Sequence, residues 1–312
     1  MAKKQLKKNK FKPLKDRFLY TLILSFVFIT SSALALSPIN HKSLIINHPV
    51  VTREFTPIPK IKNNSSFPVV SAQAVLAVDL ASGVPLYEKN SDTPLLPAST
   101  TKIITALVAL DTYPLDQVVK VGKVNVVGQK MGLRQGEEIK VIDLLYGLLV
   151  YSANDAAEVL AQNYEGGREA FIIAMNLKAS QLSMKNSWFI NPTGLDGNKA
   201  TARDLLRVSE VAMRNPTFSK IVGTKEAIVY NSFGKVSYRL KNINELVGNV
   251  PGVLGVKTGW TENARENLVT YIERDGKKIM LTVLGSQDRF GETKELIDWI
   301  FENYEWKKVQ FP

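Results

Sequence analysis

The stretch PASTTKIIT, Pro97–Thr105, places a serine and a lysine three residues apart, shortly after a proline. Apolar residues then recur with helical spacing, as at Ile103 and Leu107, so the stretch predicts a helix that begins near Ser99. A spacing of three residues brings the side chains of Ser99 and Lys102 to one face of that helix. The pair is therefore either a nucleophile with its base or a helix cap followed by a solvated lysine.

The same Ser-x-x-Lys spacing occurs a second time, at Ser232 and Lys235. About one chance match is expected in a chain of ordinary serine and lysine content. The second copy lies in a predicted hairpin turn, whereas the first lies at a helix start, where the helix dipole favours anionic character on the serine. The spacing alone does not separate catalysis from capping. The other residues of the chain are needed to decide between the two.

Residue usage excludes several other kinds of catalytic site. The 312-residue chain has no cysteine, which excludes a cysteine nucleophile, a disulfide and a thiolate metal site. Its two histidines, His41 and His48, both lie in the Pro-, Asn- and Ser-rich segment Leu36–Pro68. A folded domain without histidine cannot hold a Ser-His-Asp triad or a histidine-bound zinc. The base of any nucleophilic chemistry there would be a lysine, a carboxylate or a tyrosine.

The amino terminus has the pattern of an export segment. Residues 1–17 contain eight basic residues and one acidic residue, and residues 18–35 are uncharged and largely apolar, with small residues at the end. We expect residues 1–35 to be a signal peptide or an N-terminal membrane anchor, and residues 36–70 to be a flexible tether. Much of the net charge of +11 lies in this basic segment, so the charge does not indicate nucleic-acid binding.

Residues 71–312 are predicted to form one α+β catalytic domain. Strands are expected near both of its ends, at 74–80, 84–89, 227–232, 235–242, 267–274 and 277–285. Helices are expected between and after them, at 99–113, 140–151, 154–164, 167–182, 201–215 and 292–304. The economical arrangement is an antiparallel sheet built from both chain ends and packed against a helical cluster.

Two further polar motifs follow Ser99 along the chain. YSANDAA contains Ser152 and Asn154 in a loop between two helices, where a hydroxyl can relay a proton and an amide can orient a substrate, although either Asn154 or Asp155 could simply cap the next helix. GVKTGW presents Lys257 and Thr258 at a strand, and the glycine after them allows a ligand to approach the backbone, although an edge strand with polar ends would have the same pattern.

Together and in this order, the three motifs resemble those of serine-type D-alanyl-D-alanine carboxypeptidases, the low-molecular-weight penicillin-binding proteins. The similarity extends from about Ser71 to Trp306 and includes GLRQGEEIKVIDLLYGLLVYSANDAAEVLAQ, FINPTGLDGNKATARDLLRVSE and DRFGETKELIDW. It implies a β-lactamase/transpeptidase-like fold. Many family members continue into a C-terminal β-domain, which we do not expect in this chain.

The resemblance also implies a role for each motif residue. Ser99 would be the nucleophile, Lys102 its base and Ser152 a proton relay, while the backbone N–H groups of Ser99 and Trp260 would bind the oxyanion. The residues that would contact the substrate are Asn154, Lys257, Thr258 and Arg289. The strand 277–285 should run beside the strand of Lys257 and so bring Arg289 to the mouth of the cleft. No metal or organic cofactor is needed.

The implied partners are a peptidoglycan stem peptide that ends in D-Ala-D-Ala, and β-lactams as inhibitors. The protein would act outside the cytoplasm, with membrane contact only through its N-terminal segment. Three alternatives remain at the level of sequence: a D,D-endopeptidase, a β-lactamase, and a non-catalytic module that binds cell wall or β-lactam. The chain has Ser-Ala-Asn where class A β-lactamases usually have Ser-Asp-Asn, and it lacks their Glu-x-x-Leu-Asn loop.

Overall fold

The computed structural model describes residues 56–62, 66–195 and 197–307, which form the predicted α+β fold. The strands are β1 (Ile58–Ile61), β2 (Ala74–Asp79), β3 (Pro85–Lys89), β4 (Val118–Lys120), β5 (Glu138–Lys140), β6 (Glu226–Tyr230), β7 (Ser237–Lys241), β8 (Val253–Thr261), β9 (Arg265–Arg274), β10 (Lys277–Ser286) and β11 (Tyr304–Lys307). The α-helices are α1 (Lys102–Thr112), α2 (Val141–Leu149), α3 (Asn154–Gln162), α4 (Gly167–Gln181), α5 (Ala202–Met213), α6 (Pro216–Val222) and α7 (Arg289–Asn303), and a 3-10 helix, Ala98–Thr101, leads into α1.

The central sheet is antiparallel and combines the two ends of the folded region, as predicted. Its strand order is β3-β2-β10-β9-β8, so the early strand β2 pairs with the late strand β10. One detail of the prediction was wrong. Strand β10 runs beside β9 and β2, and β9 separates it from β8, which carries Lys257.

The two faces of this sheet are buried against different partners. In β2, Ala74 and Leu76 pack into the helical cluster, while Val75 and Ala77 pack on the opposite side, against α7. This alternation is the period-two pattern of a strand with both faces buried. Helix α1 lies inside the helical cluster, and most of its residues are buried, which explains why apolar residues occur on more than one of its faces. The start of α1 is therefore supported by the buried body of that helix and by the packed sheet.

The fold begins earlier than residue 71. Strand β1 pairs with β11, and Lys62 N–H donates to the Asn303 carbonyl over 2.7 Å. Phe67 stacks on Trp299 at a ring-centroid distance of 4.9 Å. The predicted flexible tether is therefore wrong for residues 58–61 and 66–70. Its remaining part up to residue 55, and the predicted export segment, lie outside the described residues.

Several short elements were not predicted from the sequence. These are the pairs β1–β11 and β4–β5 and helix α6, none longer than seven residues, so hydrophobic periodicity has too few turns or alternations to reveal them. Among the described residues, no helix combines the length and apolar composition required to cross a membrane.

Gly194 lets two loops meet at the start of the 3-10 helix. Its φ is +86°, and a Cβ atom there would lie 1.9 Å from the carbonyl oxygen of Ala98 and 3.0 Å from the nitrogen of Ser99. Ala98 itself has a φ of +47°, in the left-handed region that non-glycine residues rarely adopt. The backbone at Ser99 is thus held in an unusual turn by a contact that only glycine allows.

Gly194→Ala should destabilise the domain by about 2–4 kcal/mol, because left-handed strain adds to a backbone overlap that cannot relax locally. Gly83→Ala is the matched control. Gly83 has a φ of +73°, and an added Cβ atom would meet nothing within 4 Å, so only the strain of about 1 kcal/mol applies. Urea unfolding of both variants measures the difference. Equal losses would show that the Ala98 contact is irrelevant.

Candidate active site

Ser99 and Lys102 meet where the 3-10 helix continues into α1. The Lys102 side chain is fully buried, and its Nζ lies 2.9 Å from Ser99 Oγ, 2.6 Å from Asn154 Oδ1 and 2.6 Å from the Thr193 carbonyl oxygen. An amide oxygen and a carbonyl oxygen can only accept hydrogen bonds. A neutral amine donates two protons, which those two oxygens take, and its lone pair is then left for the Ser99 hydroxyl. The geometry suits a lysine that accepts a proton from Ser99.

Burial also favours the neutral form of this lysine. Removal from water lowers the pKa of Lys102 to about 7, although the negative charges of Asp155 and Glu158 partly oppose this change. The solvated-lysine alternative is excluded, because the side chain has no exposed surface. The second Ser-x-x-Lys copy differs in this respect, since Ser232 and Lys235 are both exposed in the turn between β6 and β7.

Ser152 faces Ser99 from the loop between α2 and α3. It is buried and has a φ of +63°, again in the left-handed region. Lys257 in β8 is 1% exposed, and its Nζ donates to Ser152 Oγ over 2.8 Å and to the Thr258 carbonyl over 2.9 Å. Burial, then the nearby charges of Lys102 and Arg289, hold the pKa of Lys257 well below its ordinary value. Lys257 thus forms a second serine–lysine pair with Ser152, which lines the same cleft as Ser99.

Asn154 is not a side-chain cap of α3, as one interpretation of the sequence held. The N-cap is Ala153, whose side chain has no polar atom. Asn154 Oδ1 accepts the hydrogen bond from Lys102, and its Nδ2 donates to the Val127 carbonyl over 2.7 Å. The amide therefore joins the base to the loop on the opposite wall of the cleft.

Thr258 and Arg289 bring hydrogen-bond donors to the far end of the cleft. Thr258 Oγ1 and Arg289 Nε are buried and have no hydrogen-bond partner within the described part of the chain. The Arg289 side chain is 15% exposed, and its Nη1 lies 3.3 Å from the Gly259 carbonyl and 3.9 Å from Glu266 Oε1. It reaches the cleft from the first residue of α7 even though β9 lies between β8 and β10. Unused donors of this kind suit an anionic group.

Arg289 forms no ion pair with its acidic sequence neighbours, Asp288 and Glu292, among the described residues. Asp288 caps α7 by accepting from the Gly291 N–H over 2.9 Å. Glu292 accepts from the backbone of Ser71 and from the Ser286 hydroxyl. Both acidic neighbours are thus engaged elsewhere, and the guanidinium is directed to β8.

Strand β8 passes close to the nucleophile at Gly259. A Cβ atom at Gly259 would lie 2.9 Å from the nitrogen of Ser99 and 3.0 Å from the Pro97 carbonyl oxygen. Trp260 follows with its side chain 62% exposed at the rim. This contact puts the backbone of residues 259–260 beside the Ser99 N–H, the arrangement in which two N–H groups can share one oxyanion.

These groups surround a single open cleft of about 750 Å³. Its lining includes Ser99, Ser152, Asn154, Thr258, Trp260 and Arg289, together with Gly128, Leu195 and residues 261–263. The structure thus brings all of the residues predicted for the site to one place. In residues 56–62, 66–195 and 197–307, no group of three or more His, Asp or Glu side chains is arranged to hold a metal ion.

Asp155 is a residue of this site whose role the sequence did not reveal. Its carboxylate is 2% exposed and accepts hydrogen bonds from three consecutive N–H groups of the 127–133 loop: those of Met131, Gly132 and Leu133, at 3.0, 2.8 and 3.0 Å. The backbone N–H of Asn154 donates to Gln129 of the same loop over 2.7 Å. In the sequence, Asp155 is an acidic residue at the start of a predicted helix. A role as a helix cap was enough to explain it there.

The fold and the paired serine–lysine groups define a serine acyl-enzyme peptidase of the transpeptidase-like class. The family model described as D-alanyl-D-alanine carboxypeptidase matches residues 61–288. The chain belongs to this family of penicillin-binding D,D-peptidases, which act on the bacterial cell wall.

Individual relatives agree with this assignment. The chain is 31% identical to D-alanyl-D-alanine carboxypeptidase DacF of Bacillus subtilis over 75% of its length and 63% of that protein. It is 35% identical to a D-alanyl-D-alanine endopeptidase of Pseudomonas aeruginosa over 74% of its length and 77% of that protein. The crystal structure of the Streptomyces K15 DD-transpeptidase superposes with a TM-score of 0.72 at 32% identity, covering 76% of this chain and all of that one.

Asp155→Asn should loosen the 127–133 loop. It replaces one carboxylate oxygen with an NH2 group, which cannot accept a hydrogen bond from the N–H groups of the loop. Each buried donor left without a partner costs about 1–3 kcal/mol, so we expect unfolding free energy to fall by about 2–4 kcal/mol. Acylation by penicillin at alkaline pH should slow about tenfold or more, because the cleft wall is displaced.

Glu158→Gln is the matched control for this experiment. Glu158 also opposes the lowering of the Lys102 pKa, but its carboxylate binds Arg168, 2.8 Å away, and within the described part of the chain it forms no hydrogen bond with the 127–133 loop. Its acylation rate should stay within about threefold of the parent, the range expected for a change in remote charge alone. Equal slowing in both variants would mean that Asp155 acts through its charge and not by holding the loop.

Proposed function

We propose that this protein is a serine D,D-carboxypeptidase that removes the terminal D-alanine from peptidoglycan stem peptides through an acyl-enzyme on Ser99. The observation that carries the proposal is the buried Lys102 amine, 2.9 Å from Ser99 Oγ, whose other two neighbours can only accept hydrogen bonds. A serine that only caps a helix does not require a desolvated amine beside it. Family membership supports the same reaction.

In the acylation step, Ser99 Oγ attacks the carbonyl carbon between the two D-alanines while its proton passes to Lys102 Nζ. The backbone N–H groups of Ser99 and Trp260 hold the oxygen as it becomes negative, a contribution of roughly 3–4 kcal/mol per donor in hydrolases of this kind. The C–N bond then breaks, and the leaving nitrogen takes a proton from Ser152, which Lys257 hydrogen-bonds at 2.8 Å. Ser152 regains a proton from the protonated Lys102, so that the proton taken from Ser99 ends on the leaving amine. Water hydrolyses the Ser99 ester in the second half of the reaction.

Substrate orientation follows from the donors at the end of the cleft. The terminal carboxylate accepts from Thr258 Oγ1 and pairs with Arg289 and Lys257. Its oxygens are thus the acceptors that Thr258 Oγ1 and Arg289 Nε lack in the free protein. Asn154 contacts the substrate amide. Its Nδ2 carries two hydrogens, and because only one of them donates to the Val127 carbonyl, the other can donate to the substrate.

The site of action is outside the cytoplasm. The basic and apolar segment 1–35, as a signal peptide or anchor, and the segment up to residue 55, as a tether, would deliver the domain to the cell wall. Penicillin presents an amide and a carboxylate in a layout similar to that of D-Ala-D-Ala, so it would acylate the same serine.

Benzylpenicillin should add covalently and stably to Ser99, and a peptide ending in D-Ala-D-Ala should release D-alanine. Intact mass and peptide mapping detect the penicillin adduct and its position, and an assay of free D-alanine measures peptide cleavage. Ser99→Ala should abolish both, whereas Ser232→Ala, which alters the second Ser-x-x-Lys copy, should abolish neither. An adduct on Ser232 would exclude the proposed site, and rapid penicillin turnover without D-alanine release would identify a β-lactamase.

Acylation should accelerate with rising pH through about 7, the pKa of Lys102. The rate rises with pH because only a deprotonated Lys102 amine can accept the Ser99 proton. Below that pH the amine is protonated. Stopped-flow acylation across this range measures the profile. Glu158→Gln removes a charge that raises the pKa of Lys102, so the profile should move to lower pH. A profile that does not move would assign the titration to another group.

A further inference from the structure

The loop between α4 and α5 supplies one of the three partners of Lys102 Nζ. This partner is the carbonyl oxygen of Thr193, 2.6 Å from the amine. Between the end of α4 at residue 181 and the start of α5 at residue 202, the described residues form only isolated bridges and no helix or longer strand. Regular structure therefore does not place this carbonyl, and other contacts must hold the loop against α1.

Asn198 makes several of these contacts with one buried side chain. It is 1% exposed, and its Oδ1 accepts from the N–H groups of Ile190 and Asn191, at 2.8 and 3.2 Å. Its Nδ2 donates to the Asn191 carbonyl over 3.0 Å and to Thr101 Oγ1 over 3.1 Å. The amide thus uses both of its hydrogens and both lone pairs. It joins the two arms of the loop to each other and to the residue directly before Lys102.

A second tie to α1 lies one turn further along the helix. Thr105 is fully buried, and its Oγ1 donates to the Pro192 carbonyl over 2.7 Å. The loop is therefore attached to the helix on both sides of Lys102. Because peptide units are planar, attachments at the two residues that precede Thr193 restrict the direction in which its carbonyl points.

The loop acts on the amine without adding a charge of its own. The charged groups that act on Lys102 are Asp155 and Glu158 of α3, and Lys257 of β8 is coupled to it. None of these belongs to the loop. Its effect on the amine is therefore limited to the Thr193 carbonyl and to the exclusion of water, since the side chains that attach the loop to α1 are buried.

We propose that Asn198 is a positioning residue for the base of the reaction. By tying the loop to Thr101, it keeps the Thr193 carbonyl on Lys102 Nζ and keeps water away from that amine. This inference rests on the proposed function, in which Lys102 takes the proton of Ser99. Asn198 itself touches neither the nucleophile nor the substrate, and it acts only through the loop.

Loss of Asn198 should change the protonation of the base. Once the loop is no longer tied to Thr101, water reaches the amine and removes part of the desolvation that holds the pKa of Lys102 at about 7. The pKa then rises toward its ordinary value. A larger fraction of the amine is protonated at neutral pH, and a protonated amine has no lone pair for the Ser99 proton.

The test measures acylation of the full-length protein by benzylpenicillin across pH, by stopped flow. Asn198→Ala should raise the midpoint of the rate–pH profile by about one unit or more, which slows acylation at about pH 6 roughly tenfold. Asn176→Ala is the matched control, because Asn176 holds the same loop to α4 through the backbone of Phe189, at 2.7 and 3.0 Å. It should lower stability and leave the midpoint unchanged.

A second pair of variants decides the question where Asn198→Ala does not fold. Thr105→Val keeps the shape of the side chain and removes the hydroxyl that holds Pro192, so the midpoint should again rise. Thr112→Val removes a hydroxyl that donates to the Val108 carbonyl of the same helix over 2.8 Å, and the midpoint should stay that of the parent.

A midpoint that is unchanged in both Asn198→Ala and Thr105→Val would overturn this inference and leave the proposed function intact. An equal rise in Asn176→Ala would do the same, because any loosening of the loop would then suffice. A parent protein that benzylpenicillin does not acylate on Ser99 would overturn the proposed function, and this inference with it.

Discussion

The burial of one amine at the start of α1 determines most of what surrounds it. Lys102 Nζ is buried, so protein groups must supply its hydrogen-bond partners. They come from three separate parts of the chain: Ser99 before the helix, Asn154 after α2, and the Thr193 carbonyl between α4 and α5. Each of these segments is in turn fixed by a glycine contact, a buried carboxylate or a left-handed residue. The hydrogen bonds of this one nitrogen thus connect three segments that form the cleft.

The site contains two buried amines, and the charge of one disfavours a charge on the other. Lys102 and Lys257 are both buried, and the positive charge of Lys102 is one of the causes that lower the pKa of Lys257. Each amine has a serine hydroxyl within 2.9 Å. A protonated Lys102 therefore disfavours a protonated Lys257, which suits a site where one proton is taken up on one side and delivered on the other. A histidine-free domain can in this way perform proton transfer near neutral pH.

The sequence predicted the long elements and picked out residues that lie together at the cleft, because both depend on local signals. The helices and strands of the central frame have enough residues to show a period, and the three motifs contain the side chains that the chemistry needs. It could not predict contacts that arise only in three dimensions. The engagement of Asp288 and Glu292 by backbone groups, which frees Arg289, is invisible in DRFGETKELIDW. The same holds for Asp155, since a carboxylate that accepts three N–H groups of a distant loop has the sequence pattern of a helix cap.

The strand order β3-β2-β10-β9-β8 has a consequence for the making of the protein. The nucleophile lies in the first third of the chain, while Lys257, Thr258 and the strands that support them lie near its end. Contacts with such large sequence separation form late, because loop closure must precede them. A nascent chain that has not yet delivered residues 253–289 holds Ser99 without its cleft. Reactivity is therefore acquired in one step, when the last strands enter the sheet, and not gradually during synthesis.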